Sequence, residues 1–587
     1  MRLVEVRLLE GPNVYRLEPA AKLEVALGRR RTWYGQRQPG AHTVVRLGAR
    51  VPLRTAPPPM RDLVAWIRRL HRLAGLDAGI VAGHRLPVTL HRSSDPGHWI
   101  VVFPWREHER ALEVAEAAWR LLERGVAPGT PPRRSRTLRT ALLRIGDAGG
   151  TPPTWITDVE RHTPVVSISG TNGKSTTARM LTHILRADGR HVGTTTSDGV
   201  LLDERLVEPG DWTGPGGARQ VLDRSDVEVA VLETARGGIL LKGVGYESNE
   251  AAVLTNVSSD HLDLQGIHTL PELAEVKATI ARITRPDGLV VVNADDDLLA
   301  AEARHVRAPV CYFSPDPRSR RLARHLRAGG RAMLVEDGWL VEACGAERLP
   351  IMAVADVPAA LYGLARHNVA NALAAAGGAL ALGVPHAAIA AGLADYRPTV
   401  EQAPGRLNLY RLGARVVIVD FAHNEAGVSA LLDVAEAIAG GAAGRARPVT
   451  VIIGTAGDRP DDTLRGIGRI AGRRADRVVI KETLKYLRGR SRESALGELR
   501  AGVREGGVRG EVPAYEDEPS ALRAVLGNGN GSGSGRANEP GVVALMCHED
   551  RDGVGALLAE LGAHPLRDHR ELLELMPRLQ PRPYPRA

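Results

Sequence analysis

The sequence predicts an α/β protein in which a small α+β unit precedes two parallel-sheet units. Three observations predict it. From about Arg161 onward, short apolar runs such as "PVVSIS", "VEVAVLET" and "GLVVVNA" alternate with helical stretches, which is the pattern of parallel strands joined by helices. Before that point, strand-like alternation is mixed with two helical periods. The 587 residues are 43% hydrophobic and 25% charged, as in globular domains, and the length suits about three or four of them.

Taken in order, "MRLVEVRLLE" and "HTVVRLGARVPL" alternate like strands. "MRDLVAWIRRLHRLAGL" and "HERALEVAEAAWRLLERG" repeat apolar residues at helical spacing, and "HWIVVFPW" between them reads as a buried strand. This defines an N-terminal α+β domain over residues 1–130. The Pro/Arg-rich "APGTPPRRSRTLRT" and the break "GDAGGTPPTW" read as a linker over 131–160. A central parallel-sheet domain spans 161–403. A second α/β series, "RVVIVDFAHN", "VSALLDVAEAIAG", "PVTVIIGT", "RVVIKE" and "GVVALMCHED", makes a Rossmann-like C-terminal domain over 404–587. Inside it "GNGNGSGSG" reads as a flexible loop.

Charge excludes little. The net charge of +9 and pI near 9.7 allow an acidic partner, but 68 acidic residues interleave with the basic ones and no Lys/Arg block carries aromatics. No nucleic-acid partner is expected. Cys311, Cys344 and Cys547 are far apart and odd in number, which is neither a disulfide framework nor a metal-ligand spacing and predicts a reducing cytoplasm. The charged N-terminus is no signal peptide, and no apolar run reaches the ~18 residues of a membrane span.

The chemistry begins at "SISGTNGKSTTARM" (167–180). Arginine does most of the basic work in this chain, and lysine persists only at Lys22, Lys174, Lys242, Lys277, Lys481 and Lys485. Here Lys174 follows an apolar run and opens a helix. Gly170 and Gly173 let backbone N–H groups converge on a phosphate beside the positive helix N-terminus. Lys174 would lie against the β/γ phosphates, and Ser175 or Thr176 could reach Mg²⁺. The spacing departs from the general phosphate loop, because Ile168 stands where the first glycine belongs. A glycine-rich turn without ligand is the competing interpretation.

"GTNGKSTT" resembles the ATP-binding loop of the Mur ligase superfamily, whose members phosphorylate a carboxylate with ATP and let an amine attack the acyl phosphate. The resemblance implies that Gly170, Thr171, Asn172, Gly173, Lys174, Ser175 and Thr176 bind ATP. In "VLETARGGIL" it places Glu233 on Mg²⁺ with Ser175, and in "TNVSSDHLDLQG" it makes His261 a ligand to a second cation. Lys277, in "LAEVKATI", stands where Mur ligases often carry a carbamylated lysine; a plain solvated lysine is the alternative. Lys174, Glu233, His261 and Lys277 are thus the expected catalytic set. Asn293 in "NADD" is expected to be architectural. "YGLARHNVANALAAAGGAL" resembles the family's adenine-reading helix, with His367, Asn368 and Asn371 at its start; Asn368 could instead cap that helix. Arg406 in "APGRLNLY" matches an arginine that contacts nucleotide phosphates or positions the domain. Asp420 and His423, with Asn424, match a ribose-contacting turn, and Asp458 and Arg459 a segment near the nucleotide.

Three stretches resemble the cyanophycin synthetase branch of that superfamily more narrowly. They are "TTTSDGVLLDERLVEPGDWTGPGGARQVL", "VEVAVLETARGGIL" and "VVIKETLKYLRGRSRES", and they nominate Thr196, Asp198, Arg488 and Arg490 as substrate-binding residues, with Lys481 in the last run. The N-terminal segments resemble that branch too. One part is missing: relatives carry an ATP-grasp domain between the N-terminal and Mur-like parts, and about thirty residues are too few for one. The implied activity is ATP- and Mg²⁺-dependent joining of a carboxylate, on an amino acid, peptide or polymer, to an amino acid amine. Other Mur-type ligation, of glutamate chains or a peptide intermediate, and a non-catalytic polymer scaffold are the alternatives. Relatives imply a homo-oligomer.

Overall fold

The fold was analysed in a computed structural model, which describes residues 1–28, 46–76, 86–259, 262–440, 447–527, 540–566 and 571–572. Three sheets organise it. The first is antiparallel, in the order Arg2–Leu9, Ala20–Ala26, His98–Pro104, Thr89–Arg92. The helices Pro58–Leu73 and His108–Glu123 set Trp66, Ile67, Leu70, Val114 and Leu121 into a shared core with its strands. A third helix, Arg136–Asp147, joins that core through Leu138, Ala141 and Ile145. It lies inside the stretch that reads as linker. Ser135 starts it as N-cap, accepting from the Leu138 N–H at 3.2 Å. The strand expected in "HTVVRLGARVPL" does not form over its described part, residues 46–53. The Gly/Ser run after Gly527 lies outside the described residues.

The second sheet has eleven strands. Those from Arg331–Glu336 through Val310–Ser314, Thr284–Asn293, Asn249–Leu254, Val165–Ser169 and Val229–Glu233 to Val192–Thr195 run parallel. Antiparallel strands extend it at both edges. Helices cover both faces, which explains why these strands are apolar runs rather than alternating ones: every residue of Val165–Ser169 and of Val229–Glu233 is buried. The third sheet is parallel from Ala514–Tyr515 through Arg477–Lys481, Val449–Ile453 and Gly541–Met546 to Arg415–Asp420, with Asn408–Leu412 and His564–Pro565 antiparallel at its far edge.

Ligands of open parallel sheets bind beyond the carboxyl ends of the strands. Glu233, Asn293, Asp420 and Lys481 each end a strand, so the two parallel sheets present their functional edges as strand ends. Among the described residues no helix is long and apolar enough to cross a membrane.

Candidate active site

A cleft of about 810 Å³ lies between the second and third sheets. Its floor is the turn after Val165–Ser169. Gly173 has φ +85° and caps the helix Lys174–Ala187, and a Cβ there would stand 2.3 Å from Asn371 Oδ1. At Gly170 a Cβ would stand 1.9 Å from Thr255 Oγ1. Both positions therefore require glycine on grounds of space, and the loop backbone comes to face the cleft.

The side chains of this turn interlock. Lys174 Nζ donates to Thr171 O at 2.9 Å and lies 3.9 Å from Glu233 Oε1. Ser175 Oγ donates to Glu233 Oε2 at 2.8 Å. Glu233 is 3% exposed, and burial raises its pKa above the ordinary carboxylate range, against the pull of Lys174, Ser175 and Arg406. Lys277 closes the helix Leu270–Lys277, whose start is fixed by a capping box between Thr269 and Glu272. Its Nζ donates to Gly170 O at 2.6 Å, beneath the phosphate-loop turn. Thr176 lines the cleft beside Ser175. His261 lies outside the described residues.

Asn172 reaches the other sheet. Its Nδ2 donates to Asn424 Oδ1 at 3.2 Å, and Asn424 Nδ2 donates back to Asn172 Oδ1 at 3.0 Å. Asn424 also caps the helix Glu425–Ala439. Asn368 does not cap its helix, Arg366–Ala381, which starts two residues earlier with Ala365 as its cap position. The Asn368 amide is turned inward to Ala359 O at 2.8 Å, while its Oδ1 accepts from Asn371 Nδ2 at 3.1 Å. His367 lines the cleft, and burial lowers its pKa. Asn293 donates to Thr255 O at 2.7 Å and accepts from the Asp295 N–H, an architectural use.

From the third sheet, Arg406 lies over the Phe421 ring at 4.4 Å. Both Asp420 oxygens accept backbone N–H groups, from Leu407 and Ala422, each at 2.8 Å, so this carboxylate shapes the turn in which it sits. His423 faces the cleft with Nδ1 3.0 Å from Phe421 O. Arg459 and Arg488 also line it, and Arg488 donates to Asp458 Oδ2 at 2.6 Å. Arg490 does not: it holds the same turn from behind, through Gly457 O and Arg459 O at 2.7 and 2.9 Å. Thr196 is fully buried, with Oγ1 used by Gly199 O and the Asp198 N–H. Asp198 lines the cleft, with both oxygens engaged by arginines.

Sequence reasoning missed Arg236, Asp211, His548 and Arg551, all of which line the cleft. For the last two a signal existed. They follow the apolar run "GVVALM", hence the carboxyl end of a parallel strand.

The donor set fits a hard cation. Ser175 and Glu233 offer adjacent oxygens, and the nearest cation to the buried carboxylate, the Lys174 ammonium, stands 3.9 Å away.

Two family models match the chain: the Mur ligase middle domain over residues 168–379, and the Mur ligase, glutamate ligase domain over 405–531. A cyanophycin synthetase of Crocosphaera subtropica is 39% identical over 359 residues, which is 61% of this chain and 40% of that protein. The match thus takes in well under half of that relative's length. A UDP-N-acetylmuramyl-tripeptide synthetase of Deinococcus radiodurans is 30% identical over 430 residues, 70% of this chain and 80% of that one. Among solved structures, a bifunctional folylpolyglutamate synthase/dihydrofolate synthase with Mn, AMPPNP and L-glutamate bound is 19% identical, covering 68% of this chain and 89% of that one at a TM-score of 0.47.

Proposed function

The chain belongs to the Mur ligase family, and on that premise we propose that it is an ATP-dependent C–N ligase of the cyanophycin-synthetase-like kind. It activates a carboxylate as an acyl phosphate and couples it to the amine of an amino acid. The observation that carries this reading is the convergence in one cleft of Lys174, Ser175 and Glu233 from one sheet with Arg406 and His423 from the other.

The chain's own residues divide the work. The turn from Gly170 to Thr176 cradles the triphosphate with backbone N–H groups, and Lys174 exchanges Thr171 O for phosphate oxygens. Ser175 and Glu233 would hold Mg²⁺, which would offset charge on the phosphoryl group. His261 would ligate a second cation. Lys277 supports the loop through Gly170 O as an ammonium; as a carbamate it would supply carboxylate oxygens to the cations. By their match to the family motif, Asn368 and Asn371 would read the adenine, and Arg406 would steady the phosphates. A carboxylate oxygen attacks the γ-phosphorus and ADP leaves. The amine then attacks the acyl carbon, its C–N bond forms, the C–O bond to phosphate breaks, and the amine's proton is lost. Enclosure between two sheets keeps water from the mixed anhydride.

The Deinococcus radiodurans relative favours a second reading within the class, ligation to a peptide intermediate. Mass spectrometry separates the two. The full chain is incubated with ATP, Mg²⁺, a panel of amino acids and a short aspartate-containing peptide. The reading expects a product heavier than the acceptor by one amino acid less water, with equimolar ADP. ATP binding without any ADP-linked product from the whole panel contradicts it and favours a non-catalytic scaffold.

A further inference from the structure

Asp198 sits on the turn between the strands Val192–Thr195 and Gly199–Leu202. Its N–H donates to Thr196 Oγ1 at 3.1 Å, which fixes the direction of the carboxylate. Oδ1 accepts from Arg551 Nη2 at 3.0 Å and Oδ2 from Arg179 Nη2 at 3.3 Å. These arginines come from opposite sides of the cleft. Arg179 belongs to the phosphate-loop helix Lys174–Ala187, whereas Arg551 opens the helix Arg551–Glu560 of the third sheet. Arg551 also donates to Pro404 O at 3.0 Å, on the segment that connects the two sheets. Arg406 adds a third positive charge and reaches Ser197 Oγ at 3.5 Å; Ser197 Oγ in turn lies 3.3 Å from Ser175 Oγ. Burial opposes the Asp198 charge, but Arg406, Arg551 and Arg179 outweigh it and hold its carboxyl below the usual range.

Three guanidinium groups around one carboxylate, its side chain 12% exposed, are stable only while that carboxylate keeps its charge. Because the cations ride on two different bodies, the cluster also sets how those bodies meet. We propose that Asp198 is a positioning residue that latches the third sheet over the nucleotide cleft through Arg551 and Arg406, and that it does not touch substrate. Its effect on catalysis rests on the ligase reading; its effect on shape does not. With the latch closed, Arg406 is held against Phe421 at the cleft wall and linked through Ser197 to the Ser175 hydroxyl. A neutral residue at 198 leaves three cations facing one another across the cleft.

Small-angle X-ray scattering of the nucleotide-free full chain, with AMPPNP titration in parallel, tests this. Asp198→Asn and Arg551→Gln are each expected to raise the radius of gyration and to weaken AMPPNP binding roughly tenfold. The double variant should lose no more than either single one, and Asp198→Glu should restore both readouts, which a fold defect would not allow. Scattering from Asp198→Asn and Arg551→Gln identical to wild type, or additive losses in the double variant, overturns the latch. If wild type binds no AMPPNP, the ligase reading fails, and the scattering still decides the latch.

Discussion

Lys481 offers the sharpest test of the third sheet. It ends the strand Arg477–Lys481, and its side chain and that of Glu518, 2.6 Å away, are both 0% exposed. Nζ also lies 2.9 Å from His548 Nδ1 and 3.3 Å from Thr483 Oγ1, so all three ammonium protons have acceptors. An ammonium only donates, so His548 Nδ1 accepts, and its Nε2–H donates to Ala422 O at 2.7 Å. The imidazole is therefore neutral, as burial and the Lys481 charge beside it require. Through His548, Lys481 braces the turn that presents His423 to the cleft. Glu518 Oε1 further accepts the N–H groups of His548 and Glu549, while Oε2 has no hydrogen-bond partner among the described residues. Lys481→Met would leave a carboxylate uncompensated in a dry interior, at a cost of about 3–5 kcal/mol. In a unit of ~170 residues that lowers Tm by roughly 6–20 °C. Adding Glu518→Gln removes the stranded charge but keeps an oxygen for the two N–H groups. The double variant should therefore recover most of the loss. Circular dichroism melts of wild type, Lys481→Met and the double variant read this directly. A single variant within ~2 °C of wild type, or a double variant no more stable than the single, refutes the reasoning.

Three further outcomes follow from the geometry. Gly173→Ala forces a Cβ to 2.3 Å from Asn371 Oδ1 at φ +85°, a strain of about 1–3 kcal/mol, and should abolish AMPPNP binding. Gly189→Ala, at φ +84° with nothing within 4 Å, should cost only stability, about 1 kcal/mol; equal binding losses in the two would contradict the account. Glu233→Gln should slow ATP-dependent ADP release by roughly 10²–10³-fold, and an unchanged rate would remove Glu233 from the site. His268 is held between Asp95 and Asp263 at 3.1 and 2.7 Å, and pairing with Asp95, against burial and with help from Asp263, raises its pKa to about 9. A raised cation pKa stabilises fully below the unfolded value near 6.5, and the gain is lost as pH rises through about 9. After discounting for solvent screening this is of order 1 kcal/mol; His268→Gln should flatten the Tm-versus-pH slope in that window, and an unchanged slope would disprove the assignment.

The parallel sheets were legible because buried strands advertise themselves. "VVSIS" and "VAVLE" are continuous apolar runs ending at the residues that matter, and the lysine after Gly173 marked the loop. The helix Arg136–Asp147 was hidden by composition. Proline and arginine drew attention from Ser135 and from Leu138, Ala141 and Ile145, which share one helical face. The capping alternative for Asn368 fails because a good capping residue near a helix start does not say which turn comes first; Ala365 holds that place and the amide faces inward. Thr196 and Arg490 matched a motif, yet their side chains bond nearby main-chain carbonyls, Thr196 that of Gly199 and Arg490 those of Gly457 and Arg459. The cluster of Asp198, Arg179, Arg406 and Arg551 could not be read from spacing, since its members span more than 350 positions and meet only when two sheets are apposed.

The central claim is that a substrate carboxylate attacks the γ-phosphoryl group of ATP held over Lys174 and Ser175. An acceptor found in the product screen, labelled with ¹⁸O in its carboxylate, tests this claim most directly. The account predicts that the inorganic phosphate released carries one labelled oxygen for each amide formed. Phosphate free of label, with the amide still made, contradicts it.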